Sequence, residues 1–356
     1  MNIRRTATLL VFASGASACS ASVVDLDAAP IAASNEPGVL AIVHERVEKI
    51  IVDDERLYWI GTRLPRSSNR DLWFLHSCQK RNCARTRVTY DERPYDYDSG
   101  NFSIGGGKIF WYRGDSSELL SCAVAGCDGA PRVLATEPTS TAALDADYFY
   151  FSNWSSLYRV SLKQPASPEL IADSPSGVLK IAVQGAYVYF LAEQPEGKSW
   201  LLRTRKDGSS GVESVAPLLN ISLYGEFGVT SDETFVYWTN NVLRGSINRC
   251  PLSGCSAGAD VLLSPLRAPQ SLLIDGTRLY YHHEVEAYDY ALSSCALPSC
   301  AASAPVQEHV DTPSVLALDD RYLYVATSEQ DFSPSNTGED PIAQIRQLPK
   351  PAPDSP

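Results

Sequence analysis

Asp232-Glu233-Thr234-Phe235-Val236-Tyr237-Trp238-Thr239-Asn240 is the stretch from which the fold can be read. A polar turn opened by an aspartate runs into an aliphatic residue followed by two aromatics. The same core recurs at Leu57-Tyr58-Trp59, Ile109-Phe110-Trp111, Phe149-Tyr150-Phe151 and Val188-Tyr189-Phe190, then at Leu279-Tyr280-Tyr281 and, weaker, Leu323-Tyr324-Val325. That makes seven copies, spaced 52, 40, 39, 48, 43 and 44 residues apart. A period of about 40 to 45 residues, built from short alternating strands without a helix-period segment, is the signature of four-stranded propeller blades. The expectation is an all-β, seven-bladed β-propeller of four-stranded antiparallel blades, with six or eight blades as alternatives.

Each copy supplies four strand candidates. In the fifth, Phe227-Gly228-Val229 is the inner strand, Phe235 to Thr239 the second, Ser246 to Cys250 the third and Val261-Leu262-Leu263 the outer. Of the nine cysteines, eight fall as Cys78/Cys83, Cys122/Cys127, Cys250/Cys255 and Cys295/Cys300, each pair enclosing four residues. This places a clasp at the turn between third and outer strand in copies one, two, five and six. Paired cysteines in an exported chain read as disulfides, each worth about 2 kcal/mol on the chain-entropy estimate. Zinc is disfavoured, because tetrahedral sites need cysteines that converge in fours, and clasps of different blades sit apart. Copies three and four carry Lys163-Gln164-Pro165 and Lys206-Asp207-Gly208 instead, which is ordinary turn chemistry.

The seventh copy runs out of strands. After Tyr324 comes a long insertion, Ser328 to Pro341, then Ala343-Gln344-Ile345-Arg346-Gln347-Leu348 and a Pro-rich tail. Val39-Leu40-Ala41-Ile42-Val43 has the character of the outer strands, so the N-terminus is expected to supply the missing strand and close the ring. The propeller is thus assigned to 38–350, with 351–356 as a disordered tail. Upstream, Met1-Asn2-Ile3-Arg4-Arg5 is basic, and Thr6 to Ala18 is apolar, small at its end and too short to span a membrane. Residues 1–18 therefore read as a signal peptide and 19–37, rich in Ala, Ser, Asp and Pro, as a flexible tether.

Two resemblances emerge from these residues. Ala16-Ser17-Ala18-Cys19 resembles the lipobox of bacterial lipoproteins, departing from it at Ala16, where that family usually has Leu; it implies lipidation of Cys19. The repeats resemble the YWTD-type β-propellers of the low-density lipoprotein receptor family and related bacterial propellers. The best match is Tyr237-Trp238-Thr239-Asn240, with decayed forms at Tyr58-Trp59-Ile60, Phe110-Trp111-Tyr112 and Tyr150-Phe151-Ser152. The likeness covers about residues 39 to 350. It implies extracytoplasmic ligand binding rather than catalysis; that family is six-bladed, whereas seven copies occur here.

Composition narrows the function. Thirty Lys and Arg against 42 Asp and Glu give a net charge of -12, which disfavours a nucleic-acid-binding surface. Asp53, Asp145, Asp232, Asp275 and Asp319 recur just before second strands, where turn aspartates bond their own backbone, and this structural role is preferred to metal ligation. Gly105-Gly106-Gly107 occupies the same turn in copy two and reads as turn glycine. His44, His76, His282, His283 and His309 form no metal motif, and neighbours such as His282 and His283 point to opposite faces of a strand. No Gly-x-Ser-x-Gly elbow is present. Asp96-Tyr97-Asp98-Ser99-Gly100-Asn101 has alternating oxygens suited to weak calcium binding, although a solvated acidic loop fits its spacing better. No cofactor is expected.

Second-to-third loops and outer-to-inner loops share one propeller face, and rigid scaffolds carry their binding residues on such loops. The candidates there are Arg63, Arg66, Arg70, Tyr95, Tyr97, Arg113, Asn153, Trp154, Tyr224, Asn240, Arg244 and His283. Aromatics and arginines supply interface hot spots. The expected function is a non-catalytic, lipid-anchored binding or scaffolding module. It would be a monomer on a bacterial outer membrane or cell surface, or alternatively secreted or periplasmic. Its ligand would be an envelope protein or a carbohydrate, with no nucleic acid and no membrane contact beyond the lipid. The alternative is an extracytoplasmic propeller enzyme, a lyase or hydrolase using unidentified channel residues.

Overall fold

The computed structural model describes residues 37–63, 71–94, 102–136, 141–164, 167–174, 176–194, 198–218, 228–255, 258–286, 289–310, 316–328 and 343–351. Their strands form seven four-stranded antiparallel units in chain order. The first comprises Arg46–Val52, Arg56–Arg63, Leu72–Gln79 and Val88–Pro94, and the second Phe102–Gly105, Lys108–Arg113, Glu118–Ala123 and Arg132–Thr136. The third has Thr141–Leu144, Tyr148–Ser152, Ser156–Ser161 and Glu169–Asp173; the fourth has Val178–Gln184, Tyr187–Gln194, Lys198–Arg205 and Glu213–Leu218. Units five and six share one 16-residue strand, Asp260–Asp275, and so merge into a seven-stranded sheet. Its other strands are Val229–Ser231, Phe235–Asn240 and Gly245–Pro251 on one side and Arg278–Glu286, Asp289–Ala296 and Ser303–Val310 on the other.

The seventh unit closes the ring. Leu316–Leu318, Tyr322–Ser328 and Ala343–Pro349 are completed by Val39–Val43, with Ala41 opposite Ile345 and Val43 opposite Ala343. In the fifth unit the inner strand is Val229–Ser231, two residues further along than the expected triplet; Phe227 lies outside the described residues.

Why the aromatic doublet recurs follows from packing. Side chains alternate between the two faces of a strand, and each second strand here is buried on both. Leu57 and Trp59 join the core shared with unit seven, whereas Tyr58 joins the core shared with unit two. Ile109 and Trp111 face unit one while Phe110 and Tyr112 face unit three. The buried residues fall into seven such clusters, one for each seam between neighbouring units, including the seam between seven and one. Seven seams around a closed ring fix seven blades.

The four cysteine pairs are disulfides, Cys78–Cys83, Cys122–Cys127, Cys250–Cys255 and Cys295–Cys300, with Cα–Cα separations of 4.8 to 5.5 Å. Each clasp also contributes to the seam with the preceding unit. Cys78 and Cys83 pack with Tyr324 and Ile345 of unit seven, and Cys295 and Cys300 with Tyr237 of unit five. Cys122 and Cys127 join Tyr58 and Tyr90 of unit one, and Cys250 and Cys255 join Tyr189 of unit four.

Equal spacing implies four equivalent clasps, and the structure departs from this at Cys127 and Cys255. Cys83 and Cys300, the second cysteines of units one and six, are buried, whereas Cys127 and Cys255 are only half-buried at the edges of their seams. The difference begins one residue earlier. Gly126 and Gly254 precede Cys127 and Cys255 at φ 130 and 122, a conformation that favours glycine, and end tight turns by donating to Ala123 O and Pro251 O. Asn82 and Ser299 stand at the same place in units one and six, and neither adopts a positive φ.

The closing seam contains a buried polar network. Glu45, in the crossover from Val39–Val43 to the first inner strand, places Oε2 3.2 Å from the Trp59 indole N–H and Oε1 3.1 Å from His76 Nε2. Arg87 lies 3.7 Å from the same carboxylate, and Thr89 Oγ1 lies 3.1 Å from His76 Nδ1. His76 Nε2 also lies 3.1 Å from Arg87 Nη2, so this one ring nitrogen faces both a carboxylate and a guanidinium. A Cβ on residue 61 would overlap Glu45 Oε2, so Gly61 is the residue that admits the carboxylate. Burial alone would raise the Glu45 pKa, but His76, Arg87 and Trp59 outweigh it and hold the carboxyl at about 2 instead of 4.5. Burial lowers the His76 pKa.

A depressed carboxyl pKa stabilises the fold above its unfolded value, and that stability is lost as pH falls toward the folded value. The Glu45 shift from 4.5 to about 2 corresponds to about 3 kcal/mol, lost between roughly pH 4.5 and 2. Glu45→Gln should flatten the stability-against-pH curve in that window, as read by denaturant unfolding. Glu45→Ala should cost about 3–5 kcal/mol at pH 7 by stranding the buried partners.

Candidate functional site

The strand order gives the propeller two distinct faces. One carries the turns from inner to second strand and from third to outer strand, where the clasps lie. The other carries the second-to-third hairpins and the crossovers between units.

On the clasp face, four of the five recurring aspartates make one repeated construction. Asp53, Asp145, Asp232 and Asp319 each accept backbone N–H groups two and three residues ahead on Oδ1, at 2.6 to 2.9 Å. Oδ2 accepts the hydroxyl of the tyrosine five residues on: Tyr58, Tyr150, Tyr237 and Tyr324, at 2.5 to 3.2 Å. In the second unit Phe110 replaces the tyrosine and Gly105 the aspartate, so hydroxyl and acceptor are absent together. Burial, with the aspartate beside the hydroxyl, raises the pKa of all four tyrosines.

A lysine of the following unit completes the construction at Asp319 and Asp145, and another bonds the fifth aspartate, Asp275. Lys80 reaches Asp319 at 2.5 Å, Lys206 reaches Asp145 at 2.7 Å and Lys350 reaches Asp275 at 2.6 Å. Each lysine immediately follows a third strand and so stands over the turn of the preceding unit. Burial alone would raise the Asp319 pKa, but bonds from Lys80, Tyr324 and the backbone more than reverse this. Asp145 and Asp319 are therefore engaged by tyrosine, lysine and backbone together, Asp53 and Asp232 by tyrosine and backbone, and Asp275 by lysine. No group of three or more metal-ligating side chains occurs among the described residues.

The other face is built as the sequence reading requires, with hairpins and crossovers bonded together. Val178 N–H donates to Trp154 O at 2.8 Å, Ser174 N–H to Ser155 O at 2.7 Å and Ala268 N–H to Val242 O at 2.9 Å. Trp154 is half-exposed at 56% and adopts φ 85, a left-handed conformation strained for a side chain of this size. A Cβ at Gly177 would lie 2.6 Å from the Trp154 ring, so the indole rests directly on that glycine's backbone. Asn153 supports the hairpin, its Oδ1 accepting from Ser156 N–H at 3.2 Å and its Nδ2 donating to Tyr158. Arg244 and Leu243 are exposed at the tip of the fifth hairpin.

Four of the predicted residues prove to lie in strands rather than loops, three of them at strand ends. Arg63, Arg113 and Asn240 close second strands, and His283 lies within Arg278–Glu286, because those strands run one or more residues further than the aromatic core marks. Arg113 is tied to Asp91, with Nη2 at 2.6 Å and Nε at 3.3 Å, beside the Trp111 indole bonded to the same carboxylate at 2.8 Å. His283 bonds Ser293 at 3.0 Å, and burial lowers its pKa; His282 is enclosed at 0% exposure. Arg63 is buried against Phe74. Cys19, Arg66, Arg70, Tyr95, Tyr97 and Tyr224, together with the loop Asp96 to Asn101, lie outside the described residues.

The structure adds what the sequence reading did not single out: the Glu45–His76–Arg87 network and the aspartate–tyrosine bond. The second was marked by a spacing of five residues that recurs with the motif; the first has no repeated signal.

No protein-family model and no curated protein matches the chain. Among solved structures, it is similar to the β-propeller domain of the Trilobed protease from Pyrococcus furiosus, at 8% identity and TM-score 0.55, covering 86% of this chain and 96% of that one. It is also similar to a puromycin-hydrolyzing peptidase of Mycobacterium tuberculosis, at 13% identity and TM-score 0.54, covering 88% of this chain and 55% of that one. A computationally designed protein aligns at 6% identity and TM-score 0.50 over 87% of this chain and 98% of the other. At these identities the likeness is one of fold: the chain is a β-propeller.

Asp319→Ala leaves Tyr324 and Lys80 without their acceptor and should cost about 2 kcal/mol. Asp275→Ala, which removes a more exposed carboxylate, should cost about half of that. Denaturant midpoints of the two variants at pH 7 test this order.

Proposed function

We propose that this propeller is a non-catalytic extracytoplasmic binding module that holds a protein or carbohydrate ligand on its hairpin face. The observation that carries this reading is the placement of exposed apolar side chains. Of the six large ones, Trp154, Leu243 and Val285 stand on or beside second-to-third hairpins, and Val133, Leu170 and Val261 lie on outer strands. Those three stand one residue into their strands, at the clasp-face end of the rim, and none of the six stands in a clasp-face turn among the described residues. An indole held exposed in a strained backbone conformation suits a contact surface, because its geometry is set before the ligand arrives. The YWTD-type resemblance supports the same role. The acid–base pair that could suggest chemistry, Glu45 with His76, has side chains 4% and 0% exposed inside a seam.

Export fits the four disulfides, which persist in oxidising compartments. No helix of the described residues is long and apolar enough to cross a membrane. Both ends of the propeller leave unit seven on the clasp face, where Gln347 N–H meets Gly38 O at 2.8 Å. A lipid on Cys19 would therefore hold the clasp face toward the bacterial membrane and turn the hairpin face outward.

A photo-crosslinking residue at position 243 or 285 should capture envelope protein or glycan in the native host, and one at position 163 should not. Trp154→Ala should weaken capture about tenfold. Capture from position 163 alone would overturn the face assignment. Intact mass of the protein from its native membrane should show a diacyl or triacyl addition on Cys19; an unlipidated chain would overturn the anchor.

A further inference from the structure

Three arginines are buried among the described residues: Arg63, Arg93 and Arg203. Arg93 is ion-paired with Asp91 and Asp115, and Arg203 with Glu213. Arg63, 4% exposed, makes no ion pair and no hydrogen bond to any described residue, and its Nε–H is enclosed without an acceptor. Its one specific contact is with the Phe74 ring, whose centroid lies 5.1 Å from the guanidinium carbon.

Stacking on an aromatic ring satisfies the flat face of a guanidinium but not its five N–H donors, which lie in the plane and point outward. A desolvated cation whose in-plane donors are unused is costly unless something else supplies acceptors. Nearby carboxylates are already engaged: Glu45 by Trp59 and His76, and Glu48 by Thr62 at 3.1 Å. Arg63 ends the second strand of unit one, where that strand enters its hairpin, which puts the unpartnered Nε–H at the end of the blade that carries the proposed ligand face.

We infer that Arg63 is a recognition point for an oxyanion, a carboxylate or phosphate group, carried by the ligand of the hairpin face. This rests on the face assignment above and adds the chemical class of the ligand. The planar fork accepts either group in a bidentate pair, and the Phe74 ring holds the fork in position beforehand.

The test uses the full-length protein and three side chains at this position: arginine, Arg63→Lys and Arg63→Met. Thermal midpoints are read at constant ionic strength while chloride is exchanged for inorganic phosphate or for glucuronate. The wild-type midpoint should rise by several degrees in one or both anions. The rise should shrink in Arg63→Lys and vanish in Arg63→Met, which should be at least as stable as wild type in chloride. A rise with glucuronate alone identifies a carboxylate ligand, and one with phosphate alone a phosphoryl ligand. No rise in wild type, or an equal rise in Arg63→Met, overturns the inference. A lower Arg63→Met midpoint in chloride with no anion response in wild type makes Arg63 a packing residue. Crosslinking from positions 243 and 285 reads the face assignment separately, so the two can fail independently.

Discussion

Every second strand of this propeller is sandwiched between neighbours, and that double burial is the constraint on which the rest depends. A sheet with one solvated face can alternate apolar and polar residues; these strands cannot. Their sequences are continuous apolar runs in which consecutive aromatics serve opposite seams, as Tyr58 and Trp59 do. Each blade is stable only because two others cover it, so the ring must close.

Closure concentrates demands at one seam. Between units seven and one the chain is not continuous, and the joint is made by Val39–Val43 lying beside Ala343–Pro349. Glu45 follows that strand directly and is bonded by Trp59 and His76 of unit one, so the same short segment that closes the sheet also docks it on the next blade. The lysine contacts have a comparable logic on the clasp face. Lys80 bonds Asp319 and lies 4.7 Å from the Tyr324 ring, again joining unit one to unit seven.

Much of this was legible in the letters because repetition amplifies weak signals. Seven aromatic cores, four evenly spaced cysteine pairs and an orphan strand at the N-terminus specify blade count, clasps and closure. Spacing alone did not separate the half-buried Cys127 and Cys255 from the buried Cys83 and Cys300; the glycine before each of the first two carries that difference. The aspartates read correctly as turn residues, but their bond to tyrosine needs three-dimensional proximity between side chains whose pairing the spacing only permits. Glu45 and His76 are 31 residues apart and occur once, so no repeat could mark them. Arg63 looked like a loop residue because aromatic patterning locates a strand's centre and not its end. Arg113 likewise stood as a free surface charge in the sequence, whereas Asp91, on a different blade, occupies it.

The direction of the closing strand has a mechanical consequence. Its N-terminal end points toward the clasp face, and a pull applied at the hairpin face would come from the opposite side. Tension between the two acts along the strand, so the hydrogen bonds joining it to Ala343–Pro349 are loaded together in shear instead of being peeled one after another. Glu45, at the far end, sits where a sliding strand would have to drag its carboxylate out of the seam. The latch that makes the ring is thus oriented to hold best against tension drawn between the two faces of the propeller.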